Sequence, residues 1–274
     1  MAFSIAGKTA IVTGAAHGIG RAIARHFVDR GANVMFADLD EEALYDELGE
    51  EARGDGPVRL FGGDLREKLA VTNLIAATID AFDRVDILVN AARAVATGDP
   101  LGQGDDAVEE MLQRNLLTSL RLSQQVARRM IAQASRDAET TGGNGAGSAG
   151  AIVNISSIAA RRTQPELMAY SVACAAIDQM TRSMAVALAP KRIRVNAVAF
   201  GSVMSASLQA RLRERPDLRA EILGSTPMGR IAAPVELAEA VQFLASDAAG
   251  FMTGQIVTVD GGRTLIDPAC APVH

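Results

Sequence analysis

The stretch KTAIVTGAAHGIGRAIARHFVDRGANVMFAD, Lys8–Asp38, decides the fold. Lys8–Thr13 is a short apolar run bounded by glycine and reads as a buried strand. Gly14, Gly18 and Gly20 follow in the spacing Gly-x-x-x-Gly-x-Gly. Ile19, Ala22, Ile23, His26 and Phe27 then share one face of a helix that Gly31 ends. Asn33–Ala37 is a second strand, and it stops at Asp38. Glycines in such a loop allow a tight turn and close backbone approach. The helix behind them offers free N–H groups and a positive dipole end to a phosphate. Asp38 can accept both hydroxyls of a ribose, and its charge repels a 2′-phosphate. Glycines also end many strands, and an aspartate also opens many helices. Taken together, the loop and Asp38 point to a dinucleotide, and to NAD rather than NADP. His17, mostly neutral at pH 7, would hold a 2′-phosphate poorly.

The same alternation runs outward from this unit. Leu39–Arg53 reads as an acidic amphipathic helix and Val58–Phe61 as a strand closing on Gly62-Gly63-Asp64. Arg66–Phe82 reads as a helix and Asp86–Asn90 as a strand. A glycine-rich loop, Thr97–Gly104, precedes a long helix from Asp105 to about Ala134, and Thr141–Gly150 is a flexible loop. Ala151–Ser156 is a strand, a long helical pattern carries Tyr170 and Cys174, and Arg194–Val198 is a strand. Val203–Gly224 reads as short helices in a mobile segment, Pro234–Ser246 as a helix, and Gln255–Asp260 as the last strand. Strands apolar on both faces, alternating with helices, predict an α/β fold. The expected form is a single doubly wound Rossmann-type domain over 1–274, with a seven-stranded parallel sheet and helices on both faces. Residues 202–228 are expected to cover a substrate, and 264–274 to form a short tail.

Composition narrows the function. The chain has 274 residues, 49% hydrophobic and 22% charged, with net charge −5, so it lacks the basic footprint of a nucleic-acid binder. It has no tryptophan and two tyrosines, which argues against base-stacking platforms. Cys174 and Cys270 form neither a metal-ligand nor a redox spacing, so no metal is expected and a reducing compartment fits. No apolar run approaches the ~20 residues that span a bilayer. The expectation is a cytoplasmic protein with no nucleic-acid or membrane partner.

A second stretch carries the chemistry: AIVNISSIAARRTQPELMAYSVAC, Ala151–Cys174. A strand end delivers Ser156 and Ser157, and a helix delivers Tyr170, which together suggest acid–base chemistry. Asp64 can accept from an adenine amine or close a turn. Asn90 can brace the loop beside a cofactor or cap its strand. Asn115 sits mid-helix, where asparagine is disfavoured.

These residues add up to a resemblance. Over about residues 5–265 the chain resembles the short-chain dehydrogenase/reductase family. The resemblance rests on TGAAHGIG (Thr13–Gly20), Asp38, Asp64-Leu65, LVNAA (Leu88–Ala92), Asn115, IVNISS (Ile152–Ser157), Tyr170, RVNAVAFG (Arg194–Gly201) and TGQIVTVDGG (Thr253–Gly262). It implies Ser157 and Tyr170 as catalytic residues, with Asn115 holding a water through a backbone contact. It implies a cofactor site of Gly14, His17, Gly18, Ile19, Gly20, Asp38, Asp64, Leu65, Asn90, Ala91, Tyr170, Gly201 and Val203. It also implies a small-molecule alcohol or ketone substrate, and a homotetramer or dimer, with a hetero-oligomer open.

The chain departs from the family pattern around one site. Cys174 stands where the family has a lysine, Arg93 where it has the glycine of a turn, and Phe200 where it has a proline. Ser205 keeps a hydroxyl where threonine is usual. A thiol is neutral at pH 7 and a poor donor, so it cannot favour the tyrosinate as an ammonium would. The three lysines, Lys8, Lys68 and Lys191, are all badly placed to replace it. Arg93, Arg161 and Arg162 lie on the ligand edge. An arginine supplies charge but does not relay a proton at neutral pH. Two readings stay open: an NAD-dependent oxidoreductase with a lysine-less relay, or a catalytically silent member acting as a dinucleotide-binding or partner subunit.

Overall fold

The computed structural model describes residues 2–101, 107–140 and 147–267. The expected helix start at Asp105, parts of the two glycine-rich loops, the end of the tail and Cys270 lie outside them. Seven strands form one parallel sheet: β1 (Thr9–Thr13), β2 (Asn33–Asp38), β3 (Val58–Gly62), β4 (Ile87–Asn90), β5 (Gly150–Ser157), β6 (Ile193–Phe200) and β7 (Ile256–Val259). Their order is β3-β2-β1-β4-β5-β6-β7. The winding reverses between β1 and β4, which opens a crevice at the carboxyl ends of those strands.

The expected helices are α1 (Gly18–Asp29), α2 (Glu41–Leu48), α3 (Lys68–Phe82), α6 (Met168–Leu188) and α9 (Pro234–Ala245). The sheet buries both faces. Val12, Phe36, Val153 and Val198 pack with α1 and α9 on one side, while Ile11, Leu88, Ile152 and Val195 pack with α3 and the helix after β4 on the other. That double burial explains why the strands read as continuous apolar runs. Lys8 lies at the opposite edge from the crevice and pairs with Asp247 at 2.7 Å. Among the described residues no helix is long and apolar enough to cross a membrane.

Three local differences from the sequence reading matter. The helix after β4 is broken into α4 (Ala107–Met111), a π-helical turn (Leu112–Leu117) and α5 (Thr118–Thr140). The wide turn surrounds Asn115, whose side chain is engaged with another segment. The acidic helix is shorter than expected, because Gly49 at φ 51° ends α2 and a 3₁₀ turn follows. The segment after β6 holds two short helices, α7 (Ala206–Glu214) and α8 (Asp217–Gly224).

Candidate functional site

The crevice holds a cavity of about 390 Å³, lined at one end by Gly14, His17, Gly18, Ile19 and Gly20 and at the other by Arg93 and Ser205. Gly14 has φ 68°, and a Cβ there would meet the Ala92 backbone at 2.7 Å. A Cβ on Gly20 would collide with the Gly14 carbonyl. Glycine is therefore required at both positions for β1, α1 and the turn after β4 to meet. Thr13 ties the same turn down, since its Oγ1 accepts from the N–H groups of Ala91 (3.1 Å) and Ala92 (3.0 Å). The sequence reading did not single out Thr13; the signal was a hydroxyl on the last residue of β1. The backbone thus leaves a cradle that no side chain fills at the start of α1, which fits a pyrophosphate.

Asp38 also lines this cavity. Its carboxylate accepts from Ala16 N at 2.9 Å and Asp40 N at 3.1 Å, which fixes its orientation. Asp40 pairs with His17 at 3.0 Å, so two carboxylates flank this end. Asp64 and Leu65 line the adjoining wall. The Asp64 carboxylate is forked by Arg66, with contacts of 2.9 and 2.5 Å, and that bond holds its pKa below the usual range.

Not every expected residue reaches the cavity. Ala91 lines it, but the Asn90 side chain points into the protein, donating to Ser123 Oγ (2.9 Å) and Asn154 Oδ1 (2.8 Å). The amide is needed there because β4 and β5 lie between two layers of helix. Val203 is buried and bridges to Ala232. Asn115 clamps the turn beyond β4: Oδ1 accepts from Ala94 N at 2.7 Å, and Nδ2 donates to Ala94 O at 2.9 Å. Its own carbonyl accepts from Ser119 Oγ at 2.7 Å.

Where the crevice continues, Ser157, Tyr170, Phe200 and Gly201 line a second cavity of about 440 Å³. Ser157 ends β5, and its Oγ accepts from Ala159 N at 3.2 Å. Tyr170, on the first turn of α6, is 5% exposed and packs with Cys174 and Ala159. Arg93 lines the first cavity and touches residues of the second. Its Nη1 donates to the Tyr170 hydroxyl at 2.5 Å, and its guanidinium lies 4.3 Å above the Phe200 ring. The Phe200 ring gives the cation a face to stack on. The sequence reading groups Arg93 and Phe200 around one site; the structure adds that one stacks on the other.

Charge balance at Tyr170 follows from these contacts. Burial pushes its pKa up to about 12; Arg93 pulls against that, Cys174 adds to it, and a hydrogen bond with Ser157 lowers it. Burial also raises Cys174 to about 11, opposed by its hydrogen bond with Tyr170 and by Arg93. At neutral pH the pair is therefore a phenol and a thiol, and Arg93 is the cation bonded to the phenol. Among the described residues no cluster of His, Cys, Asp or Glu could hold a metal ion.

Comparison with known proteins places this geometry among oxidoreductases. A family model described as Enoyl-(Acyl carrier protein) reductase matches residues 14–264. The chain is 37% identical over 270 residues to a cis-4-hydroxycyclohexanecarboxylate dehydrogenase of Sinomonas cyclohexanicum, covering 97% of this chain and 100% of that one. Among solved structures, a 7α-hydroxysteroid dehydrogenase complexed with NADH and 7-oxo glycochenodeoxycholic acid aligns with TM-score 0.84 and 31% identity, covering 95% of this chain and 96% of that one. A gluconate 5-dehydrogenase from Burkholderia cenocepacia in complex with NADP and tartrate aligns with TM-score 0.85 and 27% identity, covering 97% and 98%.

Proposed function

The chain belongs to the short-chain dehydrogenase/reductase family of oxidoreductases acting on alcohols and ketones, and from that premise we propose that it uses NAD and a proton relay in which Arg93 takes the place of the lysine replaced by Cys174. The single observation carrying the relay is the 2.5 Å bond from Arg93 to the Tyr170 hydroxyl. Gly14, Gly18, Ile19, Gly20, Asp38, Leu65 and Ala91 hold the dinucleotide, and His17 and Asp64 flank it. A dinucleotide held there would supply hydride chemistry at the carbinol carbon, and Asp38 would accept hydrogen bonds from its ribose hydroxyls. Asp38 and Asp40 both repel a 2′-phosphate, which supports NAD over NADP.

Tyr170 exchanges the proton of the substrate oxygen, and Ser157 hydrogen-bonds the same oxygen. In reduction, the neutral phenol donates its proton to the developing alkoxide. In oxidation, a phenolate must accept the proton of the alcohol. Arg93 favours that phenolate by charge and by a donated bond, without moving a proton itself. Asn115 acts indirectly, fixing Ala94 and hence Arg93 beside it. Gly201 shapes the floor of the cavity, and the segment 202–228 covers it. Asn90 and Val203 support the walls from inside rather than touching the cofactor. A single domain over 1–274, a dimer or tetramer and a cytoplasmic location complete the reading.

The test is a titration of the purified protein with NADH and NADPH, coupled to a screen of secondary alcohols and ketones. The expected result is tighter binding of NADH and turnover that Tyr170→Phe abolishes. Tight NADH binding with no turnover, unchanged by Cys174→Lys, would establish a silent binding subunit. Preference for NADPH would overturn the assignment to Asp38.

A further inference from the structure

The second cavity carries positive charge without a matching negative one. It opens beside Ser157 and Tyr170, and its far wall comes from the loop after β5 and the turns after β7. Those two segments contribute Arg162 and Arg263, and among the described residues no aspartate or glutamate lines the cavity. Neither arginine forms an ion pair among the described residues.

Each is positioned by one neutral partner. Arg162 donates through Nη2 to the Thr264 carbonyl, and Arg263 donates through Nη1 to Ser202 Oγ at 2.9 Å. The Thr264 bond ties the loop of the first arginine to the residue after the second. Most N–H groups of both guanidinium forks stay available. Asp260, just before these turns, is held by other groups: its carboxylate accepts from Gly262 N (2.9 Å) and Thr264 N (2.7 Å). The charge of Arg263 acts on it only from beyond ion-pair distance.

Two guanidinium groups supplied to one cavity by separate loops, both short of an anion, suit the chemistry of a carboxylate. We propose that the second cavity takes a hydroxy- or keto-carboxylate, its reacting carbon at Ser157 and Tyr170 and its carboxylate at Arg162 and Arg263. This rests on the oxidoreductase reading above, which assigns the reacting end. A neutral ketone of the same shape would leave both arginines without an anionic partner, so the cavity should discriminate by charge and not by size alone.

The experiment uses a set of cyclic and open-chain keto acids, 4-oxocyclohexanecarboxylate among them, each paired with its methyl ester. Binding to the full chain with NADH present is measured by calorimetry, and reduction is measured by NADH absorbance. At least one acid should bind about 10- to 100-fold more tightly than its ester, the range expected for charge-assisted bonds. Arg263→Met and Arg162→Met should each remove most of that preference while leaving ester binding and NADH binding unchanged. Equal binding of acid and ester across the set overturns the proposal. So does a loss in the variants that falls equally on both. Charge-selective binding with no turnover would uphold the anion site and sink the oxidoreductase relay. Turnover of esters with no preference for acids would do the reverse.

Discussion

The two ends of the crevice are built by different means. The dinucleotide end is shaped by backbone: glycines at positions where a Cβ collides, main-chain N–H groups held by Thr13, and the start of α1. The relay end is shaped by side chains in a chain of contacts: Phe200 under Arg93, Arg93 on Tyr170, and Tyr170 against Cys174. Backbone geometry tolerates few substitutes, because a single Cβ breaks it. A side-chain cluster can reach the same charge distribution by another route. A cation from the turn after β4 can stand in for one from α6, provided that something supports it, and the Phe200 ring does. The relay end is therefore where this chain has room to differ from its relatives.

The largest effect should come from the group that touches the substrate. Tyr170→Phe removes the phenol and leaves the glycine cradle intact. Turnover should fall about 10²- to 10⁴-fold with NADH affinity unchanged. If NADH binding fell as well, the two ends would not be separable, and the contrast drawn above would fail.

At the backbone-built end the informative side chain is Asp38. Asp38→Ser removes one of the two carboxylates proposed to face the ribose. The ratio of NAD to NADP utilisation, measured as kcat/KM for each, should shift toward NADP by about 10- to 100-fold. An unchanged ratio would move the discrimination elsewhere, to Asp40 or to the wall at Asp64.

The relay itself is read through pH. Burial holds Tyr170 at about 12, so the phenol persists across the physiological range. Alcohol oxidation, which needs the phenolate, should climb steadily with pH toward that value. Ketone reduction, which needs the phenol, should be flat below it. Arg93→Met removes a cause that lowers the tyrosine pKa, so the oxidation profile should move to still higher pH, with rates at pH 8 falling about tenfold. Adding Cys174→Lys to Arg93→Met returns a cation from α6 and should recover the loss. Failure to recover would show that Arg93 is there to fill space and not to supply charge.

Much of the fold was legible because it rests on periodicity and glycine. Lys8–Asp38 alone carries the strand, loop, helix and second strand, and each appears within a residue or two of its expected bounds. The cradle was legible for the same reason. Side-chain direction was not. Asn90 is expected to brace a loop or cap its strand, and its bonds to Ser123 and Asn154 turn it inward instead. The partnership of Arg93 with Phe200 joins residues from separate strand ends, as does the approach of Arg263 to the cavity holding Tyr170. A linear pattern does not contain such meetings. The π-helical turn escaped too, since its cause is a contact with Ala94 and not a local propensity.

That contact gives the smallest and most discriminating prediction. Asn115 is 1% exposed, and its amide satisfies both main-chain groups of Ala94. Asn115→Ala leaves the half-buried N–H and C=O of Ala94 without this partner and should cost about 1–2 kcal/mol in urea denaturation. A purely structural role would end there, with the pH profile of oxidation unchanged. If Asn115 instead positions Arg93 through Ala94, the loosened turn weakens the bond to Tyr170. The profile of Asn115→Ala should then shift in the same direction as that of Arg93→Met, by a smaller amount. In the Arg93→Met background the same substitution should shift nothing further, because there is no longer a guanidinium to position. That non-additivity distinguishes a residue acting through Arg93 from one that only holds the helix together.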